Sequence, residues 1–507
     1  MITRVFSRWI PKIATIIFSL ALLAARVTFA ASDAAPRQAE MGTTAGSSDR
    51  NETEAAKPAA PPPAATSYYR EAGSYSTKRE TVPPAYVRNA SKIGIDALKD
   101  FTWLDIGLDH RTRYELREDD YRRPVAKTDH PFLLRHRAYL GIRNILDPFR
   151  FVVEVEDARR ENGDFPRDNR DVNEFEPIQL IGELHFTKLL PSDPRGNARP
   201  VSLRGGRMWF EKLDRRLIGN NPWRNTTNTF QGIHFDIGQD ANDWQVEIIA
   251  AQPLDRLLYD FDEAVKGQWF YAAIGHWRGW SDIVTIEPYY LMLHQQPKEG
   301  RARREIHSPA VRLYGPIGKT RADYDLNFVY QTGRDAGRDH SAFGSAAEIG
   351  YTLDHPAKPR ASVFYGYASG DKDPNDGENE RFERFYGFGR PWSASDYFIW
   401  ENVHAPKIRF EITPIKDLRI DAGFGGYWLA SKKDRWVNAN LRDPQGDSGS
   451  FIGHELDIRA RYPINRFIDT AVGYSHFHPG SWTKRVGRDN PSDFFYLEIS
   501  LNALPRS

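Results

Sequence analysis

The feature that most constrains this chain is an alternation of apolar and charged residues with a period of two. It begins between residues 102 and 117. The apolar positions there are Leu104, Ile106, Leu108, Tyr114 and Leu116. The charged positions are Asp105, Asp109, Arg111, Arg113, Glu115 and Arg117. A helix would scatter these two sets around its axis, whereas a strand places them on opposite faces. The segment is therefore predicted to be a β-strand with one apolar and one charged face.

The same alternation recurs along the rest of the chain and predicts about 18 strands. An even number is typical of bacterial outer-membrane barrels. The predicted strands are 102–117, 132–145, 149–158, 178–187, 201–210, 229–238, 243–251, 268–277, 283–294, 306–314, 323–332, 343–353, 360–369, 398–412, 417–430, 453–462, 467–477 and 494–503.

The links between these strands alternate between short and long over most of the chain. Residues 146–148 and 413–416 form short links, whereas 211–228, 370–397 and 430–452 form long ones. With an even strand count, all the tight turns fall on the side of the two termini. This pattern indicates short periplasmic turns and long extracellular loops. The predicted fold is all-β: a transmembrane antiparallel β-barrel of about 18 strands over residues 101–507.

The N-terminal hundred residues do not alternate. Basic residues precede a short apolar run, Ile13 to Ala25, and a small-residue stretch follows it, so 1–30 is predicted to be a signal peptide. Residues 31–67 are rich in Ala, Pro and Ser and are predicted to be a disordered linker. Residues 68–100 are interpreted as a periplasmic lead-in with a short helix near 93–98. The expected location is the bacterial outer membrane, after signal-peptide cleavage.

Composition excludes several other classes. The chain has 27% charged residues and a mean hydropathy of −0.61, which does not fit a bundle of membrane-spanning helices. Its 69 Lys and Arg against 68 Asp and Glu give a net charge of +1, so no nucleic-acid partner is expected. No cysteine is present, which excludes a disulfide framework and thiolate metal sites.

Two stretches resemble the alginate export family of outer-membrane barrels. The first joins Leu203-Arg204-Gly205-Gly206-Arg207, Arg215-Arg216-Leu217-Ile218-Gly219, Trp223-Arg224-Asn225-Thr226 and Phe230-Gln231-Gly232. The second runs from Tyr367 to Gly377, Tyr-Ala-Ser-Gly-Asp-Lys-Asp-Pro-Asn-Asp-Gly, followed by Phe382 and Phe385. The resemblance extends from about residue 101 to the end. It implies an 18-stranded barrel whose basic lumen passes an anionic uronate polysaccharide outward, and it carries Arg207 over as a lumen arginine.

If the apolar face meets lipid, the charged face lines the lumen. The predicted anion-binding arginines are Arg111, Arg113, Arg135, Arg137, Arg207, Arg409, Arg419, Arg459 and Arg461. The predicted acidic counter-charges are Asp105, Asp109, Glu154, Glu183, Asp421 and Asp457. Arginine forks bind carboxylates bidentately and could hold successive uronates of a sliding chain. Under the competing interpretation, these acids and bases pair across strands and only fill the wall.

The leading functional prediction is a passive outer-membrane channel for an alginate-like anionic polysaccharide. An uptake porin for small anionic or aromatic solutes is the alternative. An enzyme and an adhesin are weighed as other classes, and no catalytic residue or cofactor is predicted. Expected partners are outer-membrane lipid, the anionic cargo and periplasmic secretion partners.

One loop has a weak resemblance to a calcium site. Asp371, Asp373 and Asn375 have the spacing of a calcium loop. However, Asp376 takes the usual glycine position and Phe382 the usual glutamate position. No metal site is therefore predicted with these residues.

Overall fold

The structure is a computed structural model that describes residues 66–73, 79–298 and 300–505. The predicted signal peptide and nearly all of the predicted linker lie outside the described residues.

Eighteen antiparallel strands form a closed barrel, as the alternation predicts. The last strand pairs with the first, from Asp109 opposite Asn502 to Glu118 opposite Asp493, and this pairing closes the ring. Five shorter strands in the described residues are not part of the ring: Val87–Asn89, Glu263–Ala264, Glu378–Asn379, Arg435–Trp436 and Leu441–Arg442. The barrel strands are β1 Leu104–Glu118, β2 Phe132–Ile142, β3 Phe149–Glu161, β4 Asn173–Leu190, β5 Arg199–Met208, β6 Phe230–Ile237, β7 Trp244–Asp255, β8 Gln268–Trp277, β9 Thr285–Gln295, β10 Arg304–Pro316, β11 Ala322–Asp335, β12 Arg338–Thr352, β13 Arg360–Ala368, β14 Val403–Ile412, β15 Arg419–Trp428, β16 Phe451–Pro463, β17 Ile468–Pro479 and β18 Ser492–Asn502.

The two faces of the wall differ as the alternation requires. On β16, Leu456 and Ile458 are 53% and 50% exposed, whereas Asp457 between them is 4% exposed. The outer face is therefore apolar and suited to lipid, and the charged residues point into the barrel.

One link departs from the predicted alternation of short and long. Residues 333–342 were expected to form a longer link, but β11 and β12 are joined by Ala336 and Gly337 alone. Both have positive φ, 53° and 87°, as a tight two-residue hairpin requires. The two strands stay paired up to the turn, where Asp335 lies opposite Arg338.

The lead-in segment joins the barrel. The short strand Val87–Asn89 pairs with Asp105–Gly107 of β1, just beyond the end of β18. Single 3-10 turns, Ala90–Lys92 and Asp96–Leu98, follow this strand where a short helix was expected. The α-helix α1, Ser481–Arg485, lies in the link between β17 and β18. Among the described residues, no helix is long and apolar enough to cross a membrane.

The hydrophobic core of the protein lies inside the ring. Inward side chains of the strands pack there against residues of two long links, such as Leu217, Phe385 and Trp392. The lumen is therefore largely occupied by protein, to which these two links contribute many of the buried side chains.

Candidate functional site in the barrel lumen

Loop A, defined as residues 209–229, crosses the lumen between β5 and β6. At its start, Trp209 Nε1 donates a 2.9 Å hydrogen bond to Glu154 on β3. Further along, Asp214 accepts a 2.8 Å bond from Asn327 Nδ2 on β11. Near its end, its backbone bonds to side chains of β1. Because β1 and β11 stand on opposite sides of an 18-stranded ring, loop A spans the lumen.

Loop B, defined as residues 369–402, folds inward between β13 and β14. Glu455 on β16, fully buried, accepts hydrogen bonds from Ser393 Oγ at 2.7 Å and from the backbone N–H of Ala394 at 2.7 Å and Ser395 at 3.2 Å. Ser395 Oγ also lies 2.8 Å from Ser475 Oγ on β17. One carboxylate thus holds a whole turn of loop B against the wall.

Loops A and B are joined to each other. The Tyr386 N–H donates to the Leu217 carbonyl at 2.9 Å, in a parallel bridge between Ile218 and Tyr386. A side chain at Gly387 would place its Cβ 1.7 Å from the Arg216 carbonyl oxygen, so this approach requires glycine. The two loops therefore form one plug.

Arginines of the first strand bind the backbone of loop A. Arg111 donates to the carbonyl oxygens of Pro222 at 2.8 Å and Arg224 at 2.7 Å. Arg113 donates to the Trp223 carbonyl at 2.7 Å and stacks 3.9 Å from the centre of the Trp223 ring. Both arginines are at least 97% buried, at 3% and 1% exposure. Arg113 also pairs with Glu115 at 2.9 Å and with Glu498 at 3.2 Å, and Arg111 lies 3.8 Å from Glu498. Loop carbonyl oxygens and wall carboxylates together thus take the places a cargo carboxylate would need.

On β2, the arginines contact both an acid and the loop. Arg137 forms a 2.8 Å ion pair with Glu156 and donates to Thr227 Oγ1 of loop A at 2.6 Å. Arg135 lies 4.0 Å from Asp109 and donates to the Pro222 carbonyl at 3.3 Å.

Most of the other predicted lumen residues are paired with one another or with a neighbour. Arg207 pairs with Glu176; Arg409, Arg459 and Arg461 with Asp421; Asp457 with Lys407; Glu183 with Arg204; and Asp105 with Arg143. Glu154 accepts from Tyr86 and Gln179 besides Trp209. Arg419 lies at the start of β15, exposed, and makes no ion pair within the described chain. The structure therefore shows the pairing that the competing interpretation describes. We call the inward side chains of β1–β3 and β14–β18 the charged wall.

The opposite side of the lumen is apolar toward its extracellular end. There Phe270 is fully buried and packs against Phe385 and Tyr386 of loop B, with ring centroids 5.8 Å and 5.2 Å away. We call this surface of β7–β12 the apolar wall; it comprises Ile249, Ala251, Phe270, Ala272, Leu291, Leu293, Ile306, Val329, Ala342 and Ala346. Sequence reasoning missed it, because several of its strands carry apolar residues on both faces.

A narrow gap remains between loop A and the charged wall. It measures about 20 Å³ and is lined by arginines of four segments, among them Arg122, Arg170 and Arg224, with Asp396 as one of the acids. This volume holds about one water molecule. Loop A and the charged wall therefore pack closely around this gap.

Arg224 lines this gap and has no carboxylate partner in the part of the chain that the structure describes. Burial lowers the pKa of its guanidinium to about 9; Asp396 opposes this effect, and Arg256, Arg384 and Arg170 add to it. Within the described chain Arg224 makes no ion pair, and its Nε has no hydrogen-bond partner. Arg224 lies in Trp223-Arg224-Asn225-Thr226, one of the stretches that resemble the alginate export family. Alternation could not identify it as a lumen residue, because it lies in a loop.

The aspartates of the calcium-like loop bind other groups of the protein. Asp371 forms a 2.8 Å ion pair with Arg338, and Asp373 accepts from the Asn375 N–H at 3.2 Å.

A different group has metal-ligand geometry. In the described part of the chain, His234, Asp236 and Glu247 have ligand atoms within 4.8 Å of one another. Lys212 of loop A already binds Glu247, and Arg204 binds Asp236 at 2.9 Å. These cations compensate the acids, and the group ties loop A to the wall.

The ring closure, the apolar outer face and the charged lumen define an outer-membrane β-barrel channel. The sequence matches the family model described as alginate export over residues 102–495, most of the chain. The protein belongs to the alginate export family. The two stretches on which the resemblance rests fall largely in loops A and B and the strands that flank them.

Several solved structures with the same fold are outer-membrane proteins of Pseudomonas aeruginosa. OccD3 (OpdP) aligns with a TM-score of 0.53 and 12% identity, covering 79% of this chain and 91% of that one. OccK2 (OpdF), solved in complex with glucuronate, aligns with a TM-score of 0.52 and 12% identity, covering 79% and 98%. OprD aligns with a TM-score of 0.50 and 10% identity, covering 78% and 93%. At these identities the likeness concerns the fold. A search of curated proteins finds no match to this chain.

Proposed function

We propose that this protein exports an anionic, alginate-like polysaccharide through the outer membrane, and that loops A and B close the channel until the cargo displaces them. Family membership supports the transport role. The observation that carries the cargo class is the contact between buried arginines and loop carbonyl oxygens at Arg111 and Arg113.

A carboxylate competes well for these arginines. A carboxylate offers the guanidinium fork two ionised oxygens in a bidentate pair, whereas each loop carbonyl offers one neutral oxygen. A uronate entering beside Arg224 would meet an arginine without a counter-ion, next to Arg111 and Arg113. Each carboxylate that replaces a loop carbonyl would release part of loop A. A chain of uronates then moves along many weak sites rather than one tight site.

The apolar wall serves as the fixed side of this arrangement. A polyanion has no aromatic rings to replace the packing of Phe385 and Tyr386 against Phe270. Loops A and B would therefore detach from the charged wall while staying attached to the apolar wall.

Planar-bilayer conductance tests the proposal. Polymannuronate added to the purified channel should alter the current at concentrations where a neutral glucan of equal length does not. Arg224→Gln should weaken this response, and Arg419→Gln, at the exposed end of β15, is the matched control. Neutralising Arg137 or Arg207 is a poorer test, because each would leave a buried carboxylate unpaired.

Equal responses to the two polymers would contradict the cargo class. Absence of any current, with or without polymer, would contradict the channel itself. Uptake of small anions remains the second candidate, favoured by the likeness in fold to OccK2, a structure solved in complex with glucuronate. Selective passage of monomeric uronates without any effect of the polymer would establish it.

The signal peptide and periplasmic secretion partners remain predictions. Release of residues 1–30 in the mature protein would be seen as a new N-terminus in mass spectrometry.

A further inference from the structure

The outer face of the barrel has a groove of about 630 Å³ where β13, β14 and β15 reach their extracellular ends. Its lining includes Tyr365, His404, Pro406, Trp428 and Lys432. Its size lies in the range of ligand-binding clefts. The groove faces away from the lumen. Ala405 and Tyr427, which alternate in sequence with lining residues of the groove, are buried inside the barrel.

The groove lies where the pairing of β14 with β15 is interrupted. Pro406 has no N–H to donate, and the pairing of β14 with β15 is interrupted between His404 opposite Trp428 and Lys407 opposite Gly425. Gly426, beside this interruption, adds no side chain. Tyr365, His404 and Trp428 therefore stand as walls around a floor of backbone and proline.

The walls combine apolar and polar character. Tyr365 and His404 are joined by a 2.6 Å hydrogen bond between the tyrosine oxygen and Nδ1. The Trp428 ring packs 5.0 Å from the ring of Phe451 on the next strand. Aromatic rings with one polar edge are favoured at the level of lipid headgroups. The floor and rings thus suit an acyl chain that lies along the wall.

The upper end of the groove is basic. Lys432 is exposed and makes no ion pair within the described chain, and Lys433 follows it directly. An ammonium at this height is placed to meet a lipid phosphate, whereas the groove below it is placed to meet the attached chain.

We propose that this groove binds one membrane lipid that carries a phosphate headgroup, with its acyl chain between Tyr365 and Trp428 and its phosphate at Lys432. The occupant follows from the position of the groove in the lipid-facing wall and from the charge at its upper end. The site is separate from the lumen, so its occupancy does not depend on what the channel transports.

Native mass spectrometry of the detergent-released barrel tests this proposal, with diphosphoryl lipid A and its dephosphorylated form as probes. The wild-type protein should retain one lipid, and the phosphorylated form more strongly. Lys432→Ala should weaken retention of the phosphorylated form about fivefold, the effect expected of one lysine at a headgroup. Ala430→Trp, which fills the groove, should abolish retention of both forms. Lys484→Ala, on exposed helix α1, should change nothing.

Heat-modifiable migration on gels shows whether each variant folds. If one of Lys432→Ala and Ala430→Trp does not fold, the other still tests the site. Equal retention in the wild type and Ala430→Trp would overturn the site. Equal retention of the two lipid forms by the wild type would overturn the phosphate assignment.

Discussion

The charged wall and the apolar wall hold the same two loops by different contacts. On the charged wall, loop oxygens and N–H groups bind arginine and glutamate, as at Arg111 and Glu455. On the apolar wall, rings of loop B pack against Phe270. Polar contacts can be exchanged for those of a charged cargo, whereas ring packing can only be lost. This difference makes one side of the plug releasable and the other side an anchor.

The apolar wall should contribute most to stability. Phe270→Ala removes a fully buried ring and should lower the free energy of unfolding by about 3 to 5 kcal/mol, measured in urea with the protein in lipid vesicles. Tyr271→Ala is the matched control, because Tyr271 is 36% exposed on the outer face and lipid can fill the space. Equal losses in the two variants would show that the inner ring does not anchor loop B.

The contacts between loop B and the charged wall should limit how fast a protease can cleave loop B. Glu455→Gln loses charge-assisted hydrogen bonds to Ser393, Ala394 and Ser395, and should weaken docking of loop B by about 2 kcal/mol. Tryptic cleavage after Arg390, added outside the vesicles, should become markedly faster. Glu305→Gln, a partly exposed acid on β10, serves as control and should leave the cleavage rate unchanged. Unchanged cleavage in Glu455→Gln would mean that loop B is held elsewhere.

Loop B should also be sensitive to pH. Burial raises the pKa of Glu401 to about 7 from its ordinary 4.5, although Arg384 opposes this effect. The docked loop thus binds this proton more tightly than the released loop does. Docking is therefore favoured at low pH and weakens as pH rises from about 4.5 through 7, with no further change above that.

Channel openings in bilayers should accordingly be more frequent at alkaline than at acidic pH. Glu401→Gln cannot titrate at this position and should lose most of that difference. A pH response of the same size in the variant would assign the titration to another group.

The sequence was sufficient for the barrel and insufficient for its interior. All 18 strands were predicted, most of them from alternation, because the lipid side selects apolar residues and the charged wall selects polar ones. It did not reveal the apolar wall: in Trp269-Phe270-Tyr271-Ala272 both faces are apolar, and the period of two disappears.

The plug was less predictable still. Loops A and B have no period. Nothing local indicates that Trp223 or Ser395 meets residues 80 or more positions away in sequence, as each does at Arg113 and Ser475. The family stretches lie largely in these segments, but only the fold shows that they pack inside the lumen. The arginine positions were predictable from alternation, whereas their loop partners were not.

A disulfide between loop B and the charged wall tests the releasable plug most directly. The chain has no cysteine, and Ser395 Oγ lies 2.8 Å from Ser475 Oγ, so Ser395→Cys with Ser475→Cys offers one defined pair. The current response to polymannuronate should be absent in the oxidised double variant and return after reduction. The same response in both redox states would contradict the claim that loop B leaves the charged wall when the cargo passes.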